Sequence, residues 1–172
     1  MASVFVSRHP LSKKDRKKLL NRFSTVSKVL AETAKNASTI EIAKSKQGFE
    51  LILADGKPIA VISGGSLLPT LNLALEKKGV LDIPQIVVDK GAVPHIINGA
   101  DVMVPGIVRV KGDVELNSIV VIVDEDKCIP LAVGKALMSS GEIASSKKGR
   151  AIKNMHHYND KIWLAVKTLL RR

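Results

Sequence analysis

The spacing of apolar residues changes twice along this 172-residue chain. Ser12-Lys13-Lys14-Asp15 resembles a capping box, and Leu19, Leu20 and Phe23 follow at helical spacing, so a first helix is expected there. A second helical stretch is expected over roughly 25–37. Thr39 to Lys44 then alternates apolar and polar, as a half-buried strand does. The runs 49–53 and 59–62 flank Ala54-Asp55-Gly56-Lys57, a hairpin signal. Pro69 suits the first turn of a helix running to Lys78 and stopped by Gly79. Residues 1–82 therefore read as a small α+β domain, with Leu81-Asp82-Ile83-Pro84 as linker.

Beyond Pro84 the apolar runs shorten and the corners become Gly/Pro-rich. Strands are expected at 86–88, 102–104 and 107–110, with a short helix from Gly91 to Ile97 closed by Asn98-Gly99. The runs 119–123 and 129–133 pair across the acidic turn Asp124-Glu125-Asp126-Lys127. A helix is expected over 139–147, and a last hairpin joins 151–156 to 161–166 across Tyr158-Asn159-Asp160. Many short strands with tight corners argue for a compact barrel over 84–168.

Charge narrows the class of partner. With 27 basic and 16 acidic residues the chain carries +11, which steers it toward phosphate backbones or anionic membranes. The first 82 residues hold 14 of the bases and 7 of the acids. Lys13, Lys14, Arg16, Lys17, Lys18 and Arg22 decorate the first helix, a second candidate RNA surface. Its membrane reading is weakened by a short apolar side without Trp. Aromatics are only 3%, so base stacking on rings cannot dominate nucleic-acid binding. The first ten residues do not read as a signal peptide, and the uncharged segment 58–75 is broken by Gly64-Gly65, Ser66, Pro69 and Asn72. One cysteine, Cys128, gives neither disulfide nor zinc cluster and reads as a small core residue in an apolar strand. A cytoplasmic address without membrane association is expected.

The stretch from Val88 to Gly106 is the most informative. Glycines at 91, 99 and 106 either close barrel corners or let an RNA backbone approach, and amides at Gly91 and Ala92 sit near a helix start where a phosphate can bind. Asp89-Lys90-Gly91-Ala92, Gly99-Ala100-Asp101 and Met103-Val104-Pro105-Gly106 resemble the first helix and second strand of PUA domains. Leu68-Pro69-Thr70-Leu71 and the run Gly149 to Asp160, ending at Trp163, are similar to the malignant T-cell-amplified-sequence family. That resemblance implies an α+β fold: an N-terminal pre-PUA-like domain (1–82) followed by a C-terminal PUA pseudo-β-barrel (84–168).

It also implies RNA binding. Carried over by position, the RNA-binding face holds Gly91, Ile97, Asn98, Gly99, Ala100, Asp101, Met103, Pro105 and Gly106. Met103 offers apolar surface to a base, while Asp101 either reads an exocyclic amine or makes a turn hydrogen bond. Lys147, Lys148, Arg150 and Lys153 would add salt-sensitive phosphate contacts or form a solvated run. The RNA implied is a tRNA 3′ end or small-subunit rRNA. The setting is translation initiation or ribosome recycling, beside the small ribosomal subunit and a density-regulated-type partner. A rival reading is an RNA-targeting accessory subunit of a tRNA or rRNA modification enzyme.

Signals for catalysis, a metal or a cofactor are poor. His156 and His157 are strand neighbours that point to opposite faces, so a structural role in the hairpin with Asp160 is favoured over a metal site. Asp124, Glu125 and Asp126 lack EF-hand spacing, and Ser63-Gly64-Gly65-Ser66 lacks the Walker lysine. No nucleophile–base pair stands out, so the chain does not read as an enzyme.

Overall fold

The computed structural model describes residues 3–171, which divide into two compact units, 3–82 with 161–171 and 83–160. The first unit is built on an antiparallel meander of β1 (Phe5–Pro10), β2 (Ile40–Ser45), β3 (Phe49–Ala54), β4 (Lys57–Ser63) and β5 (Ser66–Pro69). Consecutive residues of β3 and β4 are buried. Successive side chains point to opposite faces, so both faces of this sheet must be covered. On one face lie α1 (Lys13–Val26) and α2 (Lys28–Lys35), whose Leu19, Phe23, Leu30 and Ala34 form one cluster with Ile40, Ile52 and Ile59. The other helices are α3 (Leu71–Glu76) and α6 (Lys161–Leu170), and α6 lies against β4 and α3.

Local chemistry sets the helix ends. Ser12 accepts from the Asp15 amide, the serine half of the expected capping box, while the Asp15 carboxylate accepts from the Ser12 hydroxyl and not from its backbone N–H. Ser27, the cap of α2, accepts the Leu30 amide and donates to Asp82, whose carboxylate also accepts the Lys28 and Val29 amides. Burial by itself pushes the Asp82 pKa up, but these hydrogen bonds outweigh it and hold the pKa below the ordinary carboxylate value. At the far end of α2, Arg16 of α1 donates to the carbonyls of Ala37 (2.6 Å), Ser38 (3.2 Å) and Ala34 (3.3 Å). Arg16 is therefore a helix cap, not part of a solvated basic face.

The second unit is a curled, six-stranded mixed sheet ordered β7-β11-β10-β9-β6-β8. Its strands are β6 (Gln85–Val88), β7 (Val102–Met103), β8 (Ile107–Lys111), β9 (Ile119–Asp124), β10 (Pro130–Ala136) and β11 (Arg150–His157). Only β6 and β9 run parallel; the other pairs are antiparallel. The helices α4 (Val93–Ile97) and α5 (Ser140–Ser145) contribute Ile96 and Ile143 to a core with Ile86, Val88, Val102, Val120, Ile122 and Ile152. This is the PUA pseudo-barrel expected from the sequence.

Three local expectations are corrected. Residues 161–166 are not the last strand of a hairpin but the start of α6, which buries Ile162, Trp163, Ala165, Val166 and Leu169 in the first unit. Pro69 ends β5, and Thr70 instead caps α3 by accepting the Leu73 amide. Cys128 is not a core strand residue: it sits half-buried in the β9–β10 turn at φ +52°, with the Lys111 ammonium 3.3 Å from its sulfur. Among the described residues no helix is long and apolar enough to cross a membrane.

Candidate nucleic-acid interface

The segment from Gly91 to Gly106 holds α4, the turn after it and β7, which pairs with β11. Asn98 caps α4, and Gly99 then takes φ +96°, a left-handed turn open to glycine but not to most side chains. A Cβ on Gly99 would lie 3.0 Å from His157 Nε2. Ile97 is half-buried, whereas Asn98 and Ala100 are exposed.

Two β11 side chains hold this loop. Asn154 donates through Nδ2 to the carbonyls of Ile96 and Ala100, each at 3.0 Å. Its own backbone N–H donates to Asp101 Oδ1 at 2.8 Å, and Arg150 donates to Asp101 Oδ2 at 3.0 Å. The Asp101 carboxylate is thus occupied within the fold. These partners lie on β11, far away in the sequence, so the carboxylate makes cross-strand ties in place of the local turn hydrogen bond expected. Asn154 was not singled out in the sequence; its partner carbonyls lie some fifty residues away and leave no local pattern.

Met103, on β7, stands opposite Arg150 on β11 and is 48% exposed, enough to offer an apolar surface. Pro105 is exposed on a 3-10 turn, and Gly106 closes back on the start of α4. The Gly106 carbonyl accepts the Asp89 amide, and a Cβ on Gly106 would come within 3.3 Å of the Ala92 Cβ. Gly91 lies exposed just before α4. The amide pair expected to receive a phosphate is not free as drawn: the Ala92 N–H already donates to Asp89 Oδ1 at 2.9 Å.

The fold thus brings Ile97, Asn98, Gly99, Ala100, Asp101, Met103 and Arg150 to one place. Lys147 and Lys148 sit exposed in the loop between α5 and β11, just before Arg150. Lys153 is exposed too, but it stands opposite Lys135 of β10 rather than a β7 residue. None of these three lysines joins an ion pair among the described residues. His156 is fully buried, with Nδ1 at 2.9 Å from an Asp160 oxygen that also accepts the His157 amide. That geometry ties the end of β11 to the residue preceding α6.

An N-terminal α+β unit in front of a pseudo-barrel with this loop and strand arrangement defines a pre-PUA-plus-PUA protein. Residues 84–158 match the PUA domain family, and 7–78 match a domain family of unknown function, DUF1947. An uncharacterized protein of Methanocaldococcus jannaschii is 42% identical over 91% of this chain and 94% of its own length. Translation machinery-associated protein 20 of Saccharomyces cerevisiae is 32% identical over 85% of this chain and 83% of its own length. The chain belongs to the family that joins translation machinery-associated protein 20 to malignant T-cell-amplified sequence 1. The Xenopus laevis malignant T-cell-amplified sequence 1-B is 28% identical over 84% of this chain and 81% of its own length. Among solved structures, a hypothetical protein of Pyrococcus horikoshii superposes with TM-score 0.81 at 34% identity, covering 93% of this chain and 99% of that one. A PUA domain protein of Aeropyrum pernix, crystallised as a tartrate complex, gives 0.79 at 27% identity, covering 94% and 91%.

Proposed function

We propose that the chain is an RNA-binding protein of the translation machinery whose PUA unit grips structured RNA, a tRNA 3′ end or small-subunit rRNA. The observation that carries this reading is the loop-and-strand face itself: small residues at Gly99 and Ala100, the exposed Met103, and unpaired Lys147 and Lys148 beside Arg150. Small residues let a sugar–phosphate backbone approach, Met103 supplies apolar surface to a base, and the cations supply phosphate contacts that fix register without reading sequence. Asp101 and Asn154 act as positioning residues that hold this face in shape. Family membership favours a role at the small ribosomal subunit in initiation or recycling, with a density-regulated-type protein as partner, and the composition suits the cytoplasm.

The test is binding to tRNA with and without its terminal CCA, across a salt series. A loss of about tenfold on trimming, persisting at ~0.15 M salt, is expected. Equal and steeply salt-dependent binding to both would leave only non-specific phosphate attraction and sink the 3′-end reading. Affinity capture should bring down small ribosomal subunits; a modification enzyme in their place would favour the accessory-subunit role.

A further inference from the structure

The sheet of the second unit is not closed: its edge strands are β7 and β8, joined only through the 3-10 turn 104–106. Beside that turn, a groove of about 590 Å³ runs between β8 and α5. This is within the ~300–1,000 Å³ range of small-ligand sites. Four consecutive residues of β8, 107–110, line it. Strict alternation would send successive side chains to opposite faces, but the register against β6 slips between Ile107 and Arg109, so β8 bulges at Val108 and turns neighbouring residues toward the groove. β8 stands at the end of the sheet, hydrogen-bonded on one side to β6, so the groove lies along an edge strand. An edge strand presents backbone donors and acceptors in a row.

The remaining lining gives the groove a chemical character. Its apolar wall combines Ile107 and Val108 (49% exposed) with Ile143 and Ala144 of α5. Arg109 and Lys147 are its charged residues, no carboxylate lines it, and neither cation joins an ion pair among the described residues. Such a site suits a ligand with one flat, weakly polar part bearing edge donors and acceptors and one anionic part. A nucleotide has both. A protein strand could use the same edge, but it would leave both cations without counter-charge, and β8 offers it only five residues.

We infer that this groove seats one unpaired nucleotide, its base against Val108, Ile143 and Ala144 and its phosphate between Arg109 and Lys147. This inference rests on the RNA-binding reading above and deepens it, because Pro105 and Lys147 belong to both the groove and the loop-and-strand face. With no aromatic residue in the lining, the base is read by strand-edge hydrogen bonds and aliphatic packing, not by ring stacking.

The experiment compares a short RNA duplex bearing one unpaired 3′ nucleotide with the same duplex blunt-ended. The intact protein should prefer the overhang by about tenfold, and Ala144→Trp, which fills the groove from an exposed helix position, should abolish that preference while keeping blunt-duplex affinity. On the wild-type protein, cytidine 5′-monophosphate should shift the Val108, Ile143 and Ala144 methyl resonances, whereas inorganic phosphate should leave them in place. An overhang preference that survives Ala144→Trp, or methyl shifts no larger than phosphate gives, overturns the assignment and leaves the free edge to a protein strand. Failure of the RNA-binding reading itself would look different, as absence of binding to either duplex.

Discussion

Gly99 meets two independent restrictions, a left-handed φ of +96° and a 3.0 Å approach to the His157 ring. Gly134, in the middle of β10, meets a harder one: a Cβ there would lie 2.6 Å from the Lys153 carbonyl oxygen, a backbone atom that cannot step aside. Gly99→Ala should therefore cost about 1–2 kcal/mol of unfolding free energy and weaken RNA binding by reshaping the loop. Gly134→Ala should cost more, since β10 is held between β9 and β11. Urea midpoints of the two variants at equal m-value check both the sizes and their order. The Asn98-Gly99 corner was legible in the sequence because its conformation is a property of those residues. Asn154 was not, because its role is defined by carbonyls at Ile96 and Ala100 that only the fold brings near.

At the scale of elements, α1 settles which reading of its charge survives. Leu19 and Phe23 are buried in the first unit's core, so no apolar face is left to enter a membrane. Arg16 is consumed as a cap, and Arg22 donates to the Gly65 carbonyl. Lys13, Lys14, Lys17 and Lys18 remain exposed, in two like-charge i,i+4 pairs that repel by roughly 0.2–0.5 kcal/mol each. Replacing all four by Gln should leave the thermal midpoint unchanged or slightly raised while lowering the salt slope of RNA binding, by about 0.7–0.9 for each of these lysines that neutralises a phosphate. An unaltered slope would make this face solvated charge that touches no RNA. Helix α1 was readable because its cap, apolar spacing and charge all agree. By contrast, Lys161 to Val166 is a lysine followed by five apolar residues, a short run that periodicity alone cannot assign to strand or helix. The edge strands β1 and β5 gave no alternation long enough to register, β1 being largely exposed and β5 only four residues.

For the whole molecule, acid sensitivity is distributed across both units by carboxylates that serve as backbone caps or ion-pair partners. The hydrogen bond from Arg8 holds the Glu41 pKa down, and the Thr39 and Ser38 amides do the same for Asp55. Asp124 resembles Asp82: burial pushes its pKa up, but the Ile129 and Lys127 amides prevail and lower it. A folded pKa below the unfolded value means the stabilisation is complete above the unfolded pKa of about 4 and is lost as pH falls through the folded one. Stability should therefore fall on acidification below about pH 4, where the growing net positive charge acts in the same direction. Asp82→Asn isolates one contributor. At pH 7 the variant should be less stable by about 1 kcal/mol, because an amide accepts the Lys28 and Val29 N–H groups less strongly than a carboxylate and turns a donor toward the α2 start. Below about pH 4 the gap should narrow as the wild-type carboxyl takes up its proton. A gap that stays constant from neutral pH to strong acid would mean that Asp82 acts through shape, and that its charge is not what anchors the end of the first unit to α2.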